Sequence, residues 1–471
     1  MLKMTKNYAV LEKKINSGQQ VLSYDPIKIG FFHYFFDERS AGVNRVIANN
    51  IKAFEEFYPS IKPILIAEEF QENLFEDYER IKLNPNELIN DSRLTIPEEH
   101  FLRASSIRNS LIDLKNSFKY GFFGENILRG IDPSVTKGVR NFSEHEKVSD
   151  IPIIYRNHDF FEDYPDDWKM FLKGFDDVRD PIPKSLNVTQ IGLTSSMQNK
   201  LENFFDGEAE VLRNSVVCED FYKKNDGKDD ALRALFEEKG IVKSGEKIIA
   251  YPVRIDQRKN IEEALFITKV LNEFHEGNYR LIVTATRDKD YKKPEDNIYQ
   301  RRIEKFAKEC DIPCSLGEAY EYIDGKNFNI GNLYHISDLA LTTAVKEGFG
   351  YAYVEPWVSG TPLIGRRIRE VCEDFEAHGM SFKKNLYDSS VLRATRNWES
   401  RLKKLESLLK NKVELEETVK RLDLSGRIEY AKDRVEKNAR IVEKEYSYIP
   451  VIKNVIKMLK LPGYEKLEKV V

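Results

Sequence analysis

The stretch KIIAYPVRIDQRKN, residues 247–260, is where the fold of this 471-residue chain is decided. Its first part, 247–255, reads as a strand, and it runs through a charged turn into 260–274, which reads as a helix. Outward from there, 279–285 reads as a strand, 297–310 as a helix, 338–342 as a strand, 353–359 as a short helix and 361–365 as a strand. Repeated alternation of this kind predicts an α/β domain whose parallel sheet is covered by helices on both faces.

A less regular version of the same alternation precedes it. Residues 27–36 form an aromatic-rich apolar run that reads as a buried first strand ending in Asp37-Glu38-Arg39, followed by a loop, Ser40-Ala41-Gly42. Val43, Val46, Ile47, Ile51 and Phe54 then recur at helical spacing, and Pro59 stops the pattern before the apolar run 63–67. From about 68 to 130 the sequence is irregular and reads as an insertion on the first domain. The alternation returns with 151–155, 188–193, a Ser195-capped amphipathic helix through Phe205, and 210–212. Polar residues 223–230 are the best linker. The chain therefore divides into a Rossmann-like domain over 1–222, a second over 223–440 ending in charged helices, and a helical tail over 441–471. Two such domains facing each other hold ligands in the cleft outside the carboxyl ends of their strands.

Hydrophobic residues make up 41% of the chain and charged residues 32%, which excludes a disordered or fibrous protein. The formal net charge of −4 supplies no global basic field for nucleic acid or anionic lipid, so any anion site must be local. The four cysteines, Cys218, Cys310, Cys314 and Cys372, form neither paired CxxC zinc spacing nor a disulfide framework, which suits a reducing cytoplasm. The opening MLKMTKNYAVLEKKINSGQQ lacks the apolar run of a signal peptide, and no stretch reaches the ~18 apolar residues of a membrane span. In the tail, Ile449, Val451, Ile452, Val455, Ile456 and Leu459 alternate with lysines. That pattern reads first as a helix packing on the body, and alternatively as a basic amphipathic face touching membrane, which is not favoured.

Three segments carry chemistry. Residues 346–356, KEGFGYAYVEP, follow a predicted strand and run into a short helix. Gly348 and Gly350 let the backbone approach a ligand closely, Glu347 can accept hydrogen bonds from sugar hydroxyls, and Glu355 lies about two helical turns further on. The alternative is a glycine turn with two solvated glutamates. Residues 254–260, RIDQRKN, place Arg254 and Lys259 around a tight loop at a strand's carboxyl end, where a guanidinium and an ammonium can bind a diphosphate. Basic residues at a helix start oppose the dipole, which favours an anion partner over a solvated charge run. Residues 151–159, IPIIYRNHD, deliver His158 to the end of a strand.

Together with Gly42-Val43 after the first strand and Arg213-Asn214-Ser215-Val216 near the domain junction, the Arg-x4-Lys at 254–259 and Glu-x7-Glu at 347–355 resemble the retaining GT-B glycosyltransferases of family 4. The likeness covers most of the chain and is strongest over roughly 245–365. It implies two Rossmann-like domains around a central cleft, and transfer of a hexose from a nucleotide-diphosphate sugar to an acceptor hydroxyl with retention of configuration. It further implies that Arg254 and Lys259 hold the diphosphate, that Glu355 contacts the ribose, and that Glu347 with the backbone of Gly348, Phe349 and Gly350 orients the sugar. His158 would lie against that sugar and Gly42 beside the phosphates. No metal or cofactor is implied.

The chain departs from the family's wording in two places. Ala41 stands where a second glycine is usual, and Arg366-Arg367 follow Gly365, which suggests added charge near the donor or an anionic acceptor. Asp288-Lys289-Asp290 could be taken for a metal-binding Asp-x-Asp, but its basic neighbours oppose a dication. With no G-x-G-x-x-G after the first strand and no phosphate-loop motif, dinucleotide oxidoreductases and phosphate-loop nucleotidases are disfavoured. A sugar phosphorylase, a nucleotide-sugar epimerase or a non-catalytic sugar-nucleotide-binding subunit remain as alternatives. A carbohydrate, a polyol and a lipid-linked acceptor all fit, and the choice among them is expected in 68–130 and around Phe160, Phe161, Tyr164 and Trp168.

Overall fold

The computed structural model describes residues 26–36, 41–72, 74–83, 97–129, 133–159, 183, 185–205, 207–224, 226–275, 277–285, 294–323, 327–388, 391–392, 395 and 397–461. In the amino-terminal part the elements are β1 (Ile27–Phe32), β2 (Phe35–Phe36), α1 (Ala41–Phe57), β3 (Ile61–Ala67), β4 (Glu69–Phe70) and β5 (Glu79–Lys82). They continue with α2 (Pro97–Asp113), β6 (Phe122–Glu125), α3 (Pro133–Ser143), β7 (Ile153–Asn157), β8 (Val188–Gly192), α4 (Ser195–Phe205) and β9 (Ala209–Val211). Seven of these strands form one parallel sheet in the order β5-β3-β1-β6-β7-β8-β9, with β2 and β4 paired separately.

The second part runs α5 (Lys228–Glu238), β10 (Lys247–Arg254), α6 (Ile261–Phe274), β11 (Tyr279–Ala285), α7 (Pro294–Glu309), β12 (Cys314–Leu316) and α8 (Ile330–His335). Then come β13 (Leu339–Thr342), α9 (Glu355–Val358), β14 (Leu363–Arg366), α10 (Arg369–Ala377) and β15 (Leu386–Tyr387). The chain closes with α11 (Trp398–Lys410), α12 (Lys412–Leu422), α13 (Leu424–Glu445) and α14 (Tyr448–Met458). Its six strands form a second parallel sheet, β12-β11-β10-β13-β14-β15. In both sheets the strand order reverses beside the first strand, at β1/β6 and at β10/β13, and such switch points open a crevice at the carboxyl ends.

The structure departs from the sequence reading in several places. Residues 68–130 are not a decoration, because β6 sits in the middle of the first sheet, hydrogen-bonded between β1 and β7. The first strand breaks after Phe32, and helix starts at Ala41, so Gly42 belongs to a first helical turn and not to a loop. Ser195 is the first residue of α4, and the capping oxygen is Thr194 Oγ1, which accepts from the Met197 N–H at 3.1 Å. The linker ends early, since α5 begins at Lys228.

The tail crosses back to the first domain. Tyr448, Val451, Ile452, Val455 and Ile456 of α14 are buried in one cluster with Phe31, Ile47, Ile51 and Phe54 of β1 and α1. Each such aliphatic side chain contributes about 1.5–3 kcal/mol on full burial. The Tyr448 hydroxyl also donates to Glu56 at 2.8 Å. The apolar face that a membrane contact would need is covered by the protein itself. Among the described residues no helix is long and apolar enough to cross a membrane.

Candidate active site

The crevice at β10/β13 brings two of the sequence motifs into contact. After Arg254, half-buried at the end of β10, the chain makes one 3-10 turn, Gln257–Lys259, capped by Asp256 Oδ1 accepting from the Arg258 N–H at 2.8 Å. Asn260 follows with φ 54°, a left-handed conformation that asparagine tolerates, and α6 starts. The turn is laced to the loop after β13. Tyr251 and Thr343 hydroxyls donate to the Lys259 carbonyl at 2.7 and 3.1 Å, Asn260 Nδ2 donates to the Thr343 carbonyl at 3.0 Å, and the Val345 N–H donates to the Arg258 carbonyl at 2.9 Å. This lacing sets Lys259 Nζ 2.5 Å from Glu347 Oε1, with the two side chains only 13% and 10% exposed.

The rest of 346–356 is turn and 3-10 helix (Tyr351–Tyr353), so Glu355 is not two turns along one helix from Glu347 but starts the four-residue α9. Gly350 has φ 90°, which favours glycine, and a side-chain carbon there would meet Val371 at 2.7 Å. The Phe349 ring is buried, packed on Tyr351, Phe375 and Tyr446 at centroid distances of 5.1, 5.5 and 6.1 Å. Its side chain is core, which leaves only its backbone for a ligand.

Glu355 is buried and paired across the domain junction. Arg45 of α1 reaches Glu355 Oε1 at 2.5 Å, and its guanidinium lies 4.6 Å from the Tyr351 ring centroid. Burial opposes charge on both partners. It keeps the Glu355 carboxyl above the usual carboxylate range despite Arg45, while for Arg45 burial is outweighed by Glu355 together with Tyr351 and Tyr334, and its guanidinium is raised. Gly42 lies exposed in the first turn of the same helix, with open space where a side chain would start.

The first domain supplies the facing wall. His158 follows β7 and is nearly buried, with Nε2 2.8 Å from Glu125 Oε2 at the end of β6. Burial acts to raise the Glu125 carboxyl, but Arg156, His158 and His33 outweigh it and hold the carboxyl below its ordinary value. Arg156 is fully buried with its Nε 3.8 Å from Glu125. Asn126, at φ 58°, accepts from the His158 N–H at 3.2 Å through its side chain. The His158 carbonyl stands 2.6 Å from where a Cβ on Gly348 would be, so the two motifs abut.

Sequence reading missed Arg45 and Glu125. Arg45 is a cation near a helix start, the signal that singled out 254–260, and Glu125 is a carboxylate closing a short Phe-Phe-Gly run. The Arg213–Val216 segment lies at the junction, where Arg213 Nη2 meets Asp374 at 3.2 Å and Asp374 accepts from the Ser195 N–H at 3.1 Å. Arg366 and Arg367 do not add free charge to the cleft. Arg366 is buried and forks onto Glu263 at 3.0 and 2.5 Å, and Arg367 pairs with Glu376 at 2.6 Å. Asp288-Lys289-Asp290 and Phe160, Phe161, Tyr164 and Trp168 lie outside the described residues. Among the described residues no group of three or more His, Cys, Asp or Glu is placed to hold a metal ion.

Residues 233–427 match the family glycosyl transferases group 1. The mannosylglucosyl-3-phosphoglycerate synthase of Petrotoga mobilis is 25% identical over 363 residues, which cover 74% of this chain and 63% of that protein. The chain thus spans less than two thirds of this relative's length. Among solved structures, a glycosyltransferase from Rickettsia africae superposes with a TM-score of 0.57 at 14% identity, covering 95% of this chain and 100% of the other. WaaG, a glycosyltransferase involved in lipopolysaccharide biosynthesis, gives 0.57 at 11% identity over 92% and 99%. Anabaena HepE in complex with UDP and glucose gives 0.58 at 10% identity over 92% and 99%. At these identities the likeness establishes the fold, the two-domain GT-B architecture.

Proposed function

We propose, from the match of residues 233–427 to the glycosyl transferases group 1 and the GT-B arrangement of the two sheets, that this chain is a retaining glycosyltransferase moving a hexose from a nucleotide-diphosphate sugar to an acceptor hydroxyl. The observation that carries this reading is the meeting of Lys259 with Glu347 at the switch point of one sheet, with Gly348 set against His158 from the other. A cation, a sugar-binding carboxylate and a close-approach glycine then face a histidine across one cleft.

In this reading Arg254 and Lys259 bind the diphosphate, and Gly42 lies beside its phosphates. Glu355 takes the ribose, and Glu347 with the backbone of 348–350 orients the sugar. The acceptor oxygen bonds to the anomeric carbon on the face the diphosphate leaves, the carbon–oxygen bond to the diphosphate breaks, and a phosphate oxygen takes the hydroxyl proton. No protein nucleophile, metal or cofactor takes part. Catalysis comes from orientation and from the cations offsetting charge on the departing diphosphate. The free thiols suit a reducing cytoplasm as the place of action. The name of the Petrotoga relative makes a phosphorylated glycoside the first acceptor to screen, ahead of neutral sugars, polyols and lipid-linked acceptors.

The test is transfer from a panel of uridine and guanosine diphosphate hexoses with and without a chelator, with the product's anomeric configuration read by NMR. Retained configuration and full activity in chelator are expected. An inverted product contradicts retention, and a chelator-abolished reaction contradicts metal independence. Conversion of the donor without an acceptor marks the epimerase alternative.

A further inference from the structure

The proposed function uses His158 but leaves unexplained why a carboxylate and a guanidinium are buried behind it. Glu125 ends β6 at the β1/β6 switch point, and none of its surface is exposed. Removing such a charge from water is costly unless it is paired, and a structural core position at the centre of a sheet has no need of one. Its Oε2 meets His158 Nε2 at 2.8 Å, Arg156 lies behind it at 3.8 Å, and His33 Nδ1 binds its backbone carbonyl at 2.9 Å. With its side-chain amide turned, Asn50 accepts from both terminal nitrogens of Arg156 at 3.2 and 2.9 Å, which fixes the guanidinium.

We propose that Glu125 is a positioning residue of the transfer site, holding the His158 ring with Nε2–H turned inward so that Nδ1 meets a hydroxyl of the transferred sugar as an acceptor. The inference rests on the glycosyltransferase reading. A carboxylate only accepts, so the nitrogen it touches carries the proton. Glu125 is balanced by the Arg156 guanidinium behind it. In the neutral ring, Nε2–H against Glu125 leaves Nδ1 as the lone pair. Asn126 holds the backbone at the same point, accepting from the N–H groups of His158 and Asp159 at 3.2 and 3.1 Å. Ring and main chain of His158 are thus both anchored in the first domain, while its carbonyl abuts Gly348 in the second.

Glu125→Gln separates this role from packing. His158 and Arg156 both face the same oxygen, Oε2, and a neutral amide there accepts more weakly from Nε2–H than the carboxylate does, so the hold on that tautomer relaxes. Nitrogen-15 NMR of the histidine rings, with the His158 signal assigned from a His158→Asn variant, should show Nε2–H in the wild type and a mixture of the two tautomers in Glu125→Gln. Transfer in Glu125→Gln should fall about 10–100-fold in kcat, the scale for losing a partner that orients a ring, with nucleoside diphosphate affinity unchanged. Glu125→Asp should recover part of the rate, and it serves if the glutamine variant does not fold. Donors lacking single sugar hydroxyls should include one that slows the wild type but not Glu125→Gln further. A wild-type His158 ring protonated on Nδ1, or a folded Glu125→Gln enzyme at the wild-type rate, overturns the proposal alone. A wild-type protein that binds nucleoside diphosphate to no measurable extent overturns the function on which it rests, and the sugar contact with it.

Discussion

Lys259 and Glu347 stand 88 positions apart in the chain, yet their side chains meet at 2.5 Å because the loops after β10 and β13 are hydrogen-bonded to each other. The carboxylate balances the ammonium in a partly buried site, so a diphosphate arriving at Lys259 competes with Glu347 for it. Lys259→Ala should lower turnover at least ~100-fold and weaken nucleoside diphosphate binding, the scale of losing one preorganised electrostatic partner. Glu347→Gln should lower turnover by a similar factor while tightening nucleoside diphosphate binding, because the competitor is gone. Titration calorimetry beside steady-state kinetics separates the two variants, and equal weakening of binding by both would argue against the competition.

The Arg45–Glu355 pair joins α1 to α9 across the domain junction at 2.5 Å. Arg45→Met strands a buried carboxylate, and because a third of Arg45 is exposed its loss is expected to cost about 1–3 kcal/mol, below the 3–5 of a fully buried pair. The double variant Arg45→Met/Glu355→Gln should be more stable than Arg45→Met alone. Urea unfolding of the two singles and the double tests this, and simple additivity would show that the pair contributes no coupling.

Gly348→Ala places a methyl group 2.6 Å from the His158 carbonyl, a contact between domains and not within either core. The melting temperature should change little while kcat/KM falls about 10–100-fold, since small misplacements of facing groups are expensive in rate. Wild-type kinetics in this variant would mean that the cleft does not close as described.

Arg366→Met tests the opposite assignment. With the buried Glu263 stripped of its counter-charge and the Leu392 carbonyl of its guanidinium donor, the variant should lose about 3–5 kcal/mol of stability. KM for the donor should be unchanged in the folded fraction. A raised KM with native stability would return Arg366 to the ligand.

Much of the second sheet can be read directly from sequence because its strands are continuous apolar runs ended by turns. The expected strand at 279–285 is β11 to the residue, and those at 247–255 and 338–342 differ from β10 and β13 by one. The first sheet is harder for a physical reason. β6 is four residues long and includes Gly124 and Glu125, and what makes it a central strand is its pairing with β1 and β7, with Arg156 of β7 and His158 just after it partnering Glu125. A linear pattern does not carry that. The same holds for Arg45 with Glu355 and Arg366 with Glu263, whose partners lie far along the chain, so that a buried ion pair reads as two surface charges. The motif residues were legible as residue types at a spacing, and their partners were not.

The central claim is that a nucleoside diphosphate sits at the β10/β13 switch point, against Arg254 and Lys259. A crystal soaked with uridine or guanosine diphosphate measures this most directly. The expected result is density for the two phosphates beside Lys259, with the Lys259–Glu347 contact opened and the ribose at Glu355. Ordered ligand bound elsewhere, with that contact intact, would contradict it.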